Sequence, residues 1–186
     1  MISYKYKCAF VHIPKCAGTS IDYTLNNNTR YYEWDGEWYL QHQTLSHMDI
    51  PDGYFKFSVI RHPIERMVSS YKFLSNECDG GTFNQFLTRS GGFTDILDPD
   101  KKHERDNRYH HIMSICDYIG DGSNLDMVIK MEDLSDKWEE VCDIIGHNLH
   151  LPHLNKSQNK QYNISMGDET IIRESYKKDF EYFGYK

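Results

Sequence analysis

Two strand-turn-helix units lie close together in this chain, YKYKCAFVHI-P-KCAGTS-IDYTLNN and YFKFSVIR-HP-IERMVSSYKFL, and they limit the fold more than any other feature. In the first, Tyr4 to Ile13 is dense in aromatic and β-branched residues and stops at Pro14, as a buried strand would. The small polar run KCAGTS then feeds SIDYTLNN, whose apolar residues have helical spacing. In the second, alternation runs up to Pro63, after which Ile64, Met67, Val68, Tyr71 and Leu74 share one helical face. A helix RYHHIMSICDYI, a strand LDMVIKM and a helix SDKWEEVCDII follow, the last with Ser135 as N-cap and Gly146 as its stop. Strands alternating with helices predict an α/β fold with a parallel sheet of about four strands.

Between these units the patterns weaken. Residues Thr29 to Gly53 show no single period and read as loops with a short helix near Ser46. Asn76 to Arg108 is punctuated by glycines and Pro99 around one helix, TFNQFLTR, and reads as an insertion facing an acceptor. The tail places Ile171, Ile172, Tyr176, Phe180 and Phe183 on one stripe, which predicts that it docks on the core.

Composition narrows the function classes. With 39% hydrophobic and 26% charged residues in 186, the chain can build one real core. Its net charge of −7 excludes a general electrostatic grip on nucleic acid, so any anion must be captured locally. No stretch reaches the ~20 apolar residues of a membrane span, and MISYKYKCAFVHI lacks the pattern of a signal peptide, so the reading is cytoplasmic. Five cysteines without a C-x-x-C pair fit reduced thiols. His147, His150 and His153 are spaced by three, but Pro152 breaks the helix that would align them. Asp98-Pro99-Asp100 sits in a turn-rich acidic stretch, and no metal is expected.

The first loop is built to bind an anion. Gly18 permits close backbone approach, the amides of Cys16, Ala17, Gly18, Thr19 and Ser20 open a helix, and Lys15, Thr19 and Ser20 add donors. It is not a Walker A loop, because none of the 12 glycines is followed by lysine. In the second loop Arg61 ends a strand and Ser69 lies two turns into the next helix, so both can serve a second phosphate. His12 and His62 adjoin these loops and read as packing or orienting groups. Cys16, beside a helix start and Lys15, would have a lowered pKa, but nothing pairs it with a base.

HIPKCAGTS resembles the 5′-phosphosulfate loop, and SVIRHPIERMVSSY the 3′-phosphate loop, of sulfotransferases that use 3′-phosphoadenosine 5′-phosphosulfate (PAPS). The likeness is strongest to the carbohydrate branch that includes the heparan sulfate 2-O-sulfotransferases, and it continues into VIKMEDL, LPHLNKS and DFEYFGY. It implies a single P-loop-like domain over residues 1–186 and transfer of a sulfuryl group to a hydroxyl, on a carbohydrate acceptor. It assigns Lys15, Gly18, Thr19 and Ser20 to the 5′-phosphosulfate, Arg61 and Ser69 to the 3′-phosphate, and Ser157 and Lys160 to closure over the nucleotide. Similar enzymes place a catalytic histidine in an H-x-T setting between the two loops, which nominates His42, with His47 in reserve; Lys15 would stabilise the leaving phosphate. One departure stands out: a Pro-Gln pair common in relatives is replaced here by Ser114 and Ile115. The residues alone leave three alternatives open, namely a P-loop kinase, a metal-dependent glycosyltransferase, and a non-catalytic module that binds PAPS or its desulfated product, PAP.

Overall fold

Every residue of strand β2 (Cys8–Val11) is buried, and this strand anchors a four-stranded sheet of order β1-β2-β3-β4. Strand β1 (Ile2–Ser3) pairs with it antiparallel, whereas β3 (Phe55–Ile60) and β4 (Met127–Lys130) extend the sheet in parallel. The computed structural model describes residues 1–26, 42–74, 81–88, 107–154 and 162–186. The α/β class and the central, mostly parallel sheet flanked by helices agree with the pattern of the sequence.

One expected strand is shorter than its sequence suggests. Residues 4–7 form a turn rather than the start of β2, and Lys7 adopts φ 49°, which ends the antiparallel pairing with Ser3 opposite Cys8. Lysine is not a turn residue by type, so the aromatic run YKYK carries no sign of the reversal.

The described chain divides into two compact units. The first, Met1–Arg61 with Ile115–Gln158, holds the sheet. It also contains α1 (Gly18–Leu25). Here Ile21 and Leu25 face inward, and the helix closes at Asn26, whose amide donates to the Asp22 carbonyl at 2.9 Å. Two further helices of this unit span Ile115–Ile119 and Leu134–Ile145. In the latter Leu134, Trp138, Val141 and Cys142 form a buried stripe at helical spacing. Its N-cap is Asp133, not Ser135, because a turn of 3-10 helix at Met131–Asp133 runs into it; its stop at Gly146, with φ 71°, is the expected left-handed cap.

The second unit, His62–Ser114 with Asn159–Lys186, packs α2 (Pro63–Leu74), α3 (Phe83–Thr88), α4 (Asn107–Ile112), α7 (Met166–Ser175) and α8 (Lys177–Phe183); Ile115–Ile119 is α5 and Leu134–Ile145 is α6. Its core joins Met67, Tyr71 and Leu74 of α2 to Phe83, Phe86 and Leu87 of α3, with Ile172 and Tyr176 from the tail. Arg66 is fully buried in this unit, donating to the carbonyls of His111 at 3.4 Å and Met113 at 2.5 Å, with its guanidinium over the Tyr176 ring. The single helix expected across RYHHIMSICDYI is interrupted at residues 113–114, and these two carbonyls are drawn to Arg66 and Ser70 instead of continuing helical bonds. The tail docks as expected, but as two helices parted at Tyr176, and α7 begins with a capping box between Ser165 and Asp168.

Candidate active site

Strands β2 and β3 run parallel with Val11 opposite Ser58, so the loop after Val11 and Arg61 after β3 leave the sheet at its carboxyl edge. Ligands of open α/β sheets bind at that edge. From there the chain turns through residues 14–17, with Lys15 at φ 68° and Ala17 at φ 59°. Left-handed backbone at residues with a Cβ is costly, and such residues gather where a loop must present its amides. Helix α1 starts at Gly18 with no side-chain cap. The amides of Ser20 and Ile21 turn back to the Ala17 carbonyl at 3.0 and 3.3 Å, while those of Gly18 and Thr19 precede the first helical bond and point out of the helix end.

Lys15, within this turn, is held where its charge is disfavoured. Its pKa is lowered from 10.5, first by burial and then by the positive charge of Arg61. The two cations oppose each other's charge, and an anion bound by both would relieve that repulsion. Ser20 is buried; its Oγ accepts from the Leu154 amide at 3.1 Å, which keeps the hydroxyl hydrogen for donation and ties the 147–154 segment to the start of α1. Cys16 is fully buried, so the loop thiol expected to be reactive has no path to a reagent in this state. It fits as a small side chain.

Gly18 is explained by a neighbour that the sequence does not indicate. A Cβ added there would fall 1.8 Å from Cδ2 and Nε2 of His12, so the imidazole occupies the space of the missing side chain. The His12 ring also stacks on Phe10 at 5.7 Å and meets the His42 ring edge-on at 4.5 Å. His42 Nδ1 lies 3.0 Å from the His12 carbonyl. A carbonyl only accepts, so Nδ1 bears the hydrogen and Nε2 is the basic nitrogen of the neutral ring. His47 differs. It is exposed on the 3-10 turn Leu45–His47, and its Nδ1 is 2.6 Å from Thr44 Oγ1.

In the second unit Ser69 is half-buried on α2, and its neighbour Ser70 donates to the His111 carbonyl at 2.8 Å. His62 packs edge-on against Phe180 and Tyr185, with Nε2 3.1 Å from the Lys186 carbonyl. His111 is buried and meets the Phe73 ring edge-on. His147, His150 and His153 are exposed on a non-helical segment. Ser157 and Lys160, Asp98 and Asp100, and most of the two poorly patterned stretches lie outside the described residues.

The chain is thus an α/β protein with a lysine-bearing strand-to-helix loop at the carboxyl edge of its parallel strands. A family model described as the sulfotransferase family matches residues 1–186, and the chain belongs to that family. No curated protein and no solved structure matches it. Membership makes it a transferase of sulfuryl groups in general terms. No described helix is long and apolar enough to cross a membrane.

Proposed function

We propose that the chain transfers a sulfuryl group from PAPS to a hydroxyl of a carbohydrate acceptor, with His42 as general base. The observation that carries this reading is the uncapped start of α1 directly after Lys15, whose charge burial and Arg61 both oppose, which suits a ligand with more than one anionic group. In this reading Lys15, the amides of Cys16, Ala17, Gly18 and Thr19, and the hydroxyl of Ser20 hold the 5′-phosphosulfate; the Ser20 amide, expected to join them, is taken by the Ala17 carbonyl. Arg61 and Ser69 take the 3′-phosphate, and Ser157 and Lys160 close over the nucleotide. Lys15 offsets charge growing on the leaving phosphate as the bond from its bridging oxygen to sulfur breaks. The acceptor oxygen bonds to sulfur and its proton passes to Nε2 of His42, which the His12 carbonyl keeps as the basic nitrogen. Assignment to the 2-O branch rests on the motif likeness alone.

The test pairs binding with turnover. PAP at ~100 times its dissociation constant should stabilise the fold by about 2.7 kcal/mol, several degrees in Tm, whereas adenosine 5′-monophosphate, which lacks the 3′-phosphate, should do much less. Labelled PAPS with a glycan panel should yield a sulfated product, with the rate unchanged by excess chelator. Equal shifts from the two nucleotides would remove the two-loop assignment. PAP binding without transfer to any hydroxyl acceptor would leave a non-catalytic binding module.

A further inference from the structure

We infer that His12 is a positioning residue: its imidazole, seated on the bare Cα of Gly18, couples the orientation of the His42 ring to the phosphate loop. Three contacts define it. The ring fills the space a Gly18 side chain would need, it stacks on Phe10, and it meets the His42 ring edge-on. The same residue's carbonyl receives the hydrogen of His42 Nδ1 at 3.0 Å. His42 is therefore held at two places by one residue: the hydrogen bond selects its tautomer, and does so only while the ring contact keeps Nδ1 aimed at that carbonyl. His12 is buried, with 7% of its surface exposed, so this wedge has little room to turn. Because it rests on Gly18, any movement of the start of α1 reaches His42 through a rigid aromatic ring. An error of ~1 Å in placing a reacting group can cost ~10²-fold in rate, so such a wedge bears directly on turnover.

The inference rests on His42 being the base, and the experiment separates the two. The variants are His12→Ala, which keeps the carbonyl and removes the wedge; His12→Phe, which keeps a flat ring without nitrogens; His42→Ala; and the double variant His12→Ala with His42→Ala. The wild type and the two single His12 variants are saturated with PAP for nitrogen-15 histidine NMR, which reads the tautomer of His42, and all are assayed for transfer from labelled PAPS to the best glycan of the panel. The wild type and His12→Phe should show His42 as one Nδ1–H tautomer, and His12→Ala a mixture of two. His12→Ala should lower kcat ~10- to 100-fold, less than the ~10²- to 10⁴-fold expected for removing the base. His12→Phe should recover most of that loss. In the His42→Ala background His12→Ala should cost no further turnover, because a residue acting through His42 has nothing left to position. A single unchanged tautomer in His12→Ala, or an equal kcat cost in both backgrounds, overturns the inference. A wild-type kcat for His42→Ala removes instead the reading of His42 as the base, and the tautomer result still decides the positioning.

Discussion

Replacing Gly18 by alanine is the most direct test of how the loop between β2 and α1 is packed. The added Cβ would lie 1.8 Å from two atoms of the His12 ring, so the ring must retreat by about 1.6 Å to reach ordinary contact at 3.4 Å. It cannot do so freely, with Phe10 stacked on it at 5.7 Å and His42 against it at 4.5 Å. Overpacking of this kind costs ~1 to 3 kcal/mol. Gly18 begins a helix and needs no left-handed backbone, so alanine would by itself favour the helix by up to ~1 kcal/mol. The net expectation is a loss of ~1 to 2 kcal/mol, or roughly 2 to 8 °C in Tm for a chain of this size. The sign should reverse when the ring is gone: in a His12→Ala background, Gly18→Ala should be neutral or stabilising. Thermal and denaturant unfolding of both singles and the double variant measure this coupling. An unchanged Tm for Gly18→Ala, or the same loss in both backgrounds, would show that His12 does not occupy that space.

Three further outcomes follow from the geometry. Lys15→Ala should lower kcat more than PAP affinity, and Arg61→Ala the reverse, as steady-state kinetics and calorimetry will show; matching defects in the two variants would refute separate roles. The folded Lys15 pKa lies below 10.5, so its ammonium destabilises the ligand-free fold at neutral pH and that penalty fades as pH rises through the window below 10.5. PAP affinity, which needs the ammonium, should fall over the same window, and in Arg61→Gln the fall should move to higher pH, though not fully to 10.5 because burial is the larger cause. Arg66→Met should cost about 3 kcal/mol or more, or roughly 6 to 12 °C in Tm, since it strips charged donors from two buried carbonyls; a loss under 1 °C would contradict that account.

The parallel order of β2, β3 and β4 and the cation-bearing loop were legible because each is written locally. Proline ends a strand, small residues make a turn, and helical spacing resumes within a few positions. Gly146 was legible for the same reason. What escaped was set by contacts between distant residues. The breaks at 113–114 and at Tyr176 contain neither glycine nor proline, and the first is drawn out by a buried arginine on another helix. The reversal at Lys7 uses a residue with no turn preference. Asp133 displaces Ser135 as cap because the 3-10 turn before it already supplies helical backbone. At the site, glycine at 18 looked like space for a ligand. The structure gives that space to a histidine six residues earlier, and an imidazole 30 residues away then leans on it, a distance that no spacing rule spans.

The buried thiols give the molecule an internal clock. Cys16 has no exposed surface in the turn between β2 and α1, and Cys8, equally enclosed in β2, has its pKa pushed up to about 11 by burial. Neither can be alkylated until its surroundings open, yet the openings required differ in scale. Exposing Cys8 means taking apart the sheet, whereas exposing Cys16 needs only the turn between β2 and α1 to come loose. Local openings of loops cost less than global unfolding, so Cys16 should react on the faster of two timescales. A nucleotide gripping that turn would slow Cys16 selectively. The ratio of the two alkylation rates thus reports how firmly the loop is latched, in a protein that carries no label other than its own sulfur.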